Sequence, residues 1–384
     1  MDLTWSIEED AFRAEVRSWL EANVPKPALA SGDTAVGFAA HLDWERALHA
    51  ERLAAVSWPE EFGGRGATLW DWLIFEEEYY RAGAPQRVTQ NGIFLLAPTI
   101  FEFGTPAQQA WYLPRMSAAD DLWCQGWSEP NAGSDLAGIT SKAVRDGHGW
   151  RISGQKTWTT RGAFCTHLFG LFRTDPDETR HRGLSYLMVP LDAEGVTVRG
   201  FGRLDGDEGF AEVFFDEAWI PDGDRDPARG GTLGPVGGGW GVAMATTTSE
   251  RGLTLRSPGR FQATATRLVE LARSRSLDDD VLIDRVTQAW IDAEAYALHT
   301  LGDVTTIVEG GSPGARSSLN KIFWSELDID LHRIALDILG PDAQLDPDGW
   351  MKGFEFALSG PIYAGTNEVQ RTIVAERVLG LPRA

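Results

Sequence analysis

Three short runs hold most of the residue types that could do chemistry. The run 123–135 reads Trp-Cys-Gln-Gly-Trp-Ser-Glu-Pro-Asn-Ala-Gly-Ser-Asp, 156–160 reads Lys-Thr-Trp-Thr-Thr, and 362–371 reads Ile-Tyr-Ala-Gly-Thr-Asn-Glu-Val-Gln-Arg. In the first two, Ser128, Ser134, Thr159 and Thr160 supply hydroxyls, Gly133 permits close approach of a backbone, and Trp127 and Trp158 offer flat apolar faces. That combination suits a planar ring system with polar edges, such as an isoalloxazine. A tryptophan-rich sheet core is the competing reading, and residue types alone do not separate the two.

A fourth stretch, Met-Ala-Thr-Thr-Thr-Ser-Glu-Arg-Gly-Leu-Thr (244–254), carries a carboxylate in unusual company. On a helix, Glu250 shares a face with Thr246, Thr247, Leu253 and Thr254, none of them a cation. A carboxylate among Thr and Leu in a poorly solvated cleft would have a raised pKa, useful in a general base. A solvent-facing Glu without a local partner is the plainer alternative.

The elements that must position these runs fall into three thirds. The first is helical: Ser6-x-x-Glu9 forms a capping-box pattern, and Phe12, Val16, Trp19 and Leu20 follow at helical spacing until Pro25 and Pro27. Further helices are expected over Phe38 to Leu53, 70–81 and 89–102, and from the capped start Thr105-Pro106-x-Gln108. From Leu122 to Pro221 the period shifts to two, with strands at Trp150-Arg-Ile-Ser, Leu168-Phe-Gly-Leu-Phe, Leu184-Ser-Tyr-Leu-Met-Val and Val213-Phe-Phe. A Gly-, Pro- and Asp-rich linker spans 222–239. Helices return from Trp240, with a break near Ser257-Pro258, a start after Asp278–Asp280, a span from Leu319 to Leu339, and a final helix from Thr366 that stops by Gly380 and Pro382.

Composition bounds the function. A chain of 384 residues has ample core for two or three domains. Its net charge of −21 argues against generic nucleic-acid binding and against attraction to an anionic membrane. No apolar run is long enough to span a bilayer, and the acidic N-terminus lacks a signal pattern, so a cytoplasmic protein is expected. Cys124 and Cys165 have no metal-ligand spacing, and no His/Cys/carboxylate cluster suggests a metal site.

The first two runs resemble the flavin-binding signature of the acyl-CoA dehydrogenase family, in which a Thr/Ser-Glu-Pro-x-Ala-Gly-Ser-Asp run precedes a Trp-x-Thr/Ser element. The 362–371 run resembles that family's C-terminal motif, and Trp-Pro-Glu-Glu-Phe-Gly-Gly-Arg-Gly (58–66) resembles its Trp-Pro-x-x-Tyr/Phe-Gly-Gly-x-Gly loop. The resemblance covers essentially the whole chain. It implies an α+β protein with an N-terminal helical domain (1–121), a small middle β-sandwich or barrel domain (122–232) and a C-terminal helical bundle (233–384).

The implied reaction is FAD-dependent α,β-desaturation of an acyl-CoA thioester, with a carboxylate removing the α-proton while hydride passes to flavin N5. The implied electron acceptor is an electron-transfer flavoprotein. The implied assembly is a homo-oligomer, a dimer or tetramer, with a hetero-oligomer as the other option. Gln125, Trp127, Ser128 and Ser134 would approach flavin or substrate, with Ser134 on the CoA side. Trp158 and Thr160 would lie against the ring, and Thr366 and Glu368 would meet part of the FAD from the start of the last helix; Thr366 also reads as a plain N-cap.

Several family positions are altered. The base of many members follows Tyr in the C-terminal motif, and here that position is Ala364. A minority carries the base in a Glu-Arg pair, which points to Glu250 as base, with Arg251 beside the acyl-CoA. Ala364 then retains only its backbone N–H for the thioester carbonyl, next to the permissive Gly365. Of an Arg-x-x-Phe-Gly element that reaches a neighbouring subunit's FAD, only Arg275 remains, and a Gln-x-x-Gly-Gly element becomes Asp337-Ile-Leu-Gly-Pro341. An acid in that place is unfavourable beside a pyrophosphate unless it points elsewhere. These departures motivate two other readings: a partner subunit without a complete site, and a flavin monooxygenase or oxidase on the same scaffold.

Overall fold

The computed structural model describes residues 4–223, 229–251, 257–345 and 349–382. The chain packs as two compact units, one of Met1–Pro25, Thr68–Ala84 and Arg251–Ala384, the other of Lys26–Ala67 and Pro85–Glu250.

The first unit is helical. Helix α1 (Ile7–Asn23) starts at the expected capping box, in which Ser6 Oγ accepts from Glu9 N–H and the Glu9 carboxylate accepts from Ser6 N–H. In the same unit lie α3 (Leu69–Arg81), α7 (Pro258–Ser274), α8 (Asp280–Val308), α9 (Ser317–Leu339), α10 (Trp350–Ala357) and α11 (Asn367–Ile373). Phe261, Leu268, Tyr296, Trp324, Leu331 and Trp350 form its main core. Helix α8 is capped more directly than its acidic start suggests: the Asp279 side chain accepts from Val281 and Leu282 N–H.

Between α1 and α3 the carboxylate of Glu78 is fully buried and receives Arg17 at 2.8 Å, Arg13 at 3.0 Å and Arg81 at 2.9 Å. Burial alone would raise its pKa. Hydrogen bonds from the three guanidinium groups outweigh burial and hold the carboxyl at about 2.

The second unit combines α2 (Ala35–Ala50), α4 (Ala97–Phe103), α5 (Pro106–Ser117) and α6 (Gly239–Arg251) with one eight-stranded sheet. The strands are β1 (Trp123–Gly126), β2 (Lys142–Asp146), β3 (Gly149–Thr160), β4 (His167–Arg173), β5 (Leu184–Pro190), β6 (Val196–Phe201), β7 (Phe210–Pro221) and β8 (Gly231–Thr232). They run in the order β6-β7-β3-β2-β4-β5-β8, with β1 added parallel to β4. Trp150, Ile152, Leu168, Phe172, Val189, Val213 and Phe215 fill the core on this sheet.

Helix α5 has the expected Thr105 cap and Pro at its first position. The helix expected over 89–102 instead opens as a π-helical turn, Asn91–Leu96, before α4. The 222–239 stretch contains β8, a short strand paired with β5 that its Gly and Pro content hid.

Candidate active site

The first run begins on β1, whose partner is β4 with Cys124 opposite Leu168 and Gln125 opposite Phe169. Gly126 is required there, because a Cβ would lie 2.4 Å from the Leu168 side chain. Past the strand, Glu129 and Ala132 exchange backbone hydrogen bonds of 2.9 and 3.0 Å, closing a tight turn. Ser134 and Gly133 are exposed beyond it, and Gly133 has no atom near its missing side chain.

What ties this turn to the second run is a buried ion pair. Lys156 Nζ donates to Glu129 Oε1 at 2.8 Å and sits 4.9 Å from the Phe172 ring centre. The same carboxylate accepts from Thr140 N–H at 2.7 Å, Thr140 Oγ1–H at 2.8 Å and Ser141 N–H at 2.9 Å. Thr157 N–H donates to Ser128 O at 2.9 Å. The two runs are thus one structure, pinned at Glu129.

Burial raises the Glu129 carboxyl, but the Lys156 charge and the hydrogen bonds from Lys156, Thr140 and Ser141 hold it at about 2. Burial lowers Lys156 to about 8, against the pull of Glu129. At neutral pH both are charged. Neither residue is among the candidates read from the sequence, although Glu129 and Lys156 both lie within the two runs.

Beyond Lys156, β3 bulges. Lys156 pairs with Val213 but Thr159 pairs with Ala211, so two β3 residues oppose one on β7. The bulge puts Trp158 at φ +59°, a left-handed conformation costly for an aromatic residue, and leaves it 59% exposed. Its ring stands edge-to-face on Phe201 at 5.2 Å and Phe210 at 5.6 Å. Thr159, by contrast, is buried and donates to Ala211 O at 2.7 Å, which removes it from the surface, while Thr160 stays partly exposed. The next residue, Arg161, is buried and donates to Asp33, whose other oxygen accepts from Arg203 at 2.6 Å; this anchors the end of the run.

Trp127 lies on the same unit, buried, with its ring edge-on to Tyr186 at 6.5 Å and no partner for Nε1 among the described residues. Tyr186 in turn stacks on Phe169 and bonds Thr246 Oγ1 at 3.3 Å. Thr246 Oγ1 meets Thr99 Oγ1 at 2.8 Å. This chain of hydroxyls fixes α6 to β5 and α4 at residue 246, one turn before position 250. Thr246 and Thr247 are both buried. Residues 250 and 251 close α6, but the side chains of Glu250 and Arg251 lie outside the described residues.

The third run lies in the other unit. Thr366 caps α11, accepting from Val369 N–H at 3.3 Å, and Glu368 is exposed. Ala364 and Gly365 both have left-handed backbones, φ +57° and +78°. Asn367, buried, accepts from Lys321 Nζ at 2.7 Å and from Ser325 Oγ at 3.2 Å, and its N–H bonds Pro361 O at 2.8 Å. Elsewhere on this unit Arg275 bonds Asp342 at 2.8 Å, and Asp337 bonds Arg285 at 2.7 Å. The acid at 337 therefore does point elsewhere, toward its own cation. Among the described residues no cluster of His, Cys, Asp and Glu has the makings of a metal site, and no helix is long and apolar enough to cross a membrane.

Models described as the N-terminal, middle and C-terminal domains of acyl-CoA dehydrogenase match residues 6–120, 124–218 and 237–379. The chain is 42% identical to a Mycobacterium tuberculosis protein named acyl-CoA dehydrogenase IpdE1, over 97% of this chain and 98% of the other. Among solved structures it resembles the Tcur3481-Tcur3483 steroid ACAD, with TM-score 0.88 and 26% identity over the full length of both chains. It also resembles the ChsE4-ChsE5 complex from Mycobacterium tuberculosis, with TM-score 0.85 and 28% identity, again over the full length of both.

Proposed function

The chain belongs to the acyl-CoA dehydrogenase family and is an acyl-CoA dehydrogenase; on that premise we propose that Glu250 is the base that takes the α-proton of the thioester. The observation that carries this reading is the Thr99–Thr246–Tyr186 chain of hydroxyls. It anchors α6 one turn before Glu250, in the same compact unit as Trp127 and Trp158. Ala364 has no carboxylate to offer in the place where many relatives have one.

The family's cofactor is FAD, and the residues present suit it. Among the described residues Trp127 Nε1 is a buried donor without a partner, Gly133 leaves open space, and Trp158 is held outward by a strained backbone. A flat heteroaromatic ring with polar edges matches that set. Gln125, Trp127, Ser128, Ser134, Trp158 and Thr160 would hold it, and the family resemblance adds Arg275, Thr366 and Glu368. When bound, FAD supplies the acceptor for the hydride that leaves Cβ.

The chain's own residues do the rest. Glu250 accepts the proton from Cα. The Ala364 N–H, next to Gly365, donates to the thioester oxygen and so acidifies that proton. Ser134 and Arg251 hold the acyl-CoA. Electrons leave through an electron-transfer flavoprotein. A solved relative named as a steroid ACAD supports a bulky polycyclic acyl group as the substrate class.

The assembly is an oligomer. One observation favours a second reading, in which this chain is one half of a two-chain enzyme: Arg275 and Asp337 are both engaged in ion pairs within their own unit. The solved relatives named as Tcur3481-Tcur3483 and ChsE4-ChsE5 are two-component by name.

One experiment tests both readings. The chain is purified alone, its flavin per subunit is measured, and linear, branched and polycyclic acyl-CoA thioesters are added anaerobically. Stoichiometric flavin that is bleached, fastest by the polycyclic thioesters, supports the self-contained dehydrogenase. Substoichiometric flavin restored only by a second family chain supports the half-site reading. Bleaching by no thioester in either state rules out the chemistry.

A further inference from the structure

The loop before α11 is held by one side chain that neither the family resemblance nor the mechanism above uses. Gln370 is fully buried. Its amide Nε2 donates to Ala364 O at 3.1 Å and to Gly365 O at 3.3 Å. Both neighbours are acceptors, which settles which end of the amide faces them. Its Oε1 is buried and has no partner among the described residues. An unpaired buried acceptor is destabilising, so it calls for an explanation.

The second observation concerns the clamped peptides. Fixing Ala364 O fixes the N–H of Gly365 on the opposite edge of the same peptide plane, and fixing Gly365 O does the same for Thr366. On the other side, Tyr363 N–H is tied to Ser359 O at 3.2 Å. Ala364 is therefore held from both sides in a left-handed backbone that an alanine would otherwise leave. Among the described residues, the N–H groups of Ala364, Gly365 and Thr366 donate to nothing. Three successive unused donors thus lie on the loop that Gln370 clamps, and the clamping side chain itself carries an unused buried acceptor.

We propose that Gln370 is the positioning residue of the thioester site: its amide nitrogen clamps the two peptides that follow Ala364 and so holds Ala364 in the left-handed backbone from which its N–H polarises the thioester carbonyl, and its free oxygen receives a hydroxyl or N–H donor of the bound FAD. This rests on the dehydrogenase reading above, and a Gln in this role explains how an Ala can occupy position 364 without the loop relaxing. Where the base is not on the loop, the loop's one remaining task is carbonyl polarisation, and Gln370 holds it to that geometry.

The test uses the full-length holoprotein and two variants. Gln370→Leu keeps the volume and removes both polar functions. Gln370→Glu keeps the oxygen and becomes a donor only when protonated. In wild type and both variants, FAD affinity is measured by quenching of flavin fluorescence on titration into apoprotein, with no acyl-CoA present. Anaerobic bleaching is then followed against pH with the thioester the wild type accepts best.

Gln370→Leu is expected to bind FAD about tenfold more weakly and to lose about tenfold or more in kcat with a smaller change in KM. Gln370→Glu is expected to approach wild-type kcat at low pH and to fall away about tenfold as its carboxyl ionises against the two carbonyls, a step the wild-type profile lacks. Should Gln370→Leu not fold, the Gln370→Glu profile decides. Superimposable pH profiles for Gln370→Glu and wild type overturn the proposal, as does wild-type FAD affinity and kcat in Gln370→Leu. Failure of the wild type itself to bind FAD or to be bleached strikes instead at the dehydrogenase reading.

Discussion

At the scale of single residues, the site depends on buried charge that must stay paired. Glu129 and Lys156 bind the two sequence runs into one surface, so removing either partner strands the other in the core. Glu129→Gln or Lys156→Met is expected to cost about 3–5 kcal/mol, read as a fall in thermal midpoint, with loss of FAD affinity. A variant of either kind that keeps wild-type stability would show that the pair is not what holds the turn. The sequence displayed both residues inside stretches that had been singled out for their aromatics and hydroxyls. Their pairing stayed hidden because it links positions 27 apart through the sheet, and no local pattern encodes that distance. Thr159 illustrates the converse: its hydroxyl suggested a ligand contact, but the bulge turns it inward onto Ala211 O.

At the scale of elements, what was legible was local. The caps of α1 and α5 and the start of α8 were written in neighbouring residues, because a cap is a contact of two to three residues' reach. The bulge of β3 was not, since it is set by register against β7. It yields a sharp expectation. Trp158 pays for φ +59°, so Trp158→Gly should be more stable than Trp158→Ala by about 1–2 kcal/mol, while both lose FAD affinity through the missing ring. Equal thermal midpoints for the two variants would remove the strain from the account. Helix α6 offers a second test. Thr246→Val breaks the hydroxyl chain to Thr99 and Tyr186 and should cost about 1–3 kcal/mol. It should also slow bleaching, although Thr246 is one turn away from the proposed base; unchanged bleaching in a destabilised protein would separate the anchor from the chemistry.

At the scale of the whole molecule, the family and its α+β architecture could be read from three motifs in their order, whereas the ion pairs of Arg275 and Asp337 needed coordinates. The acid response follows from two buried carboxylates, Glu78 and Glu129, each held at about 2. Their folded pKa values lie below the ordinary 4.5, so the stability they contribute is complete above that pH and is lost as pH falls toward 2. The thermal midpoint should drop through that window, and Glu78→Gln, already destabilised at neutral pH, should drop less. The proposed proton abstraction depends above all on one carboxylate at the end of α6. The most direct measurement is anaerobic flavin bleaching by the preferred acyl-CoA in Glu250→Gln compared with wild type. The account predicts a folded, yellow variant whose bleaching rate falls by about 100- to 10,000-fold, the usual contribution of a general base. Bleaching at the wild-type rate would contradict it and leave the α-proton to some other residue.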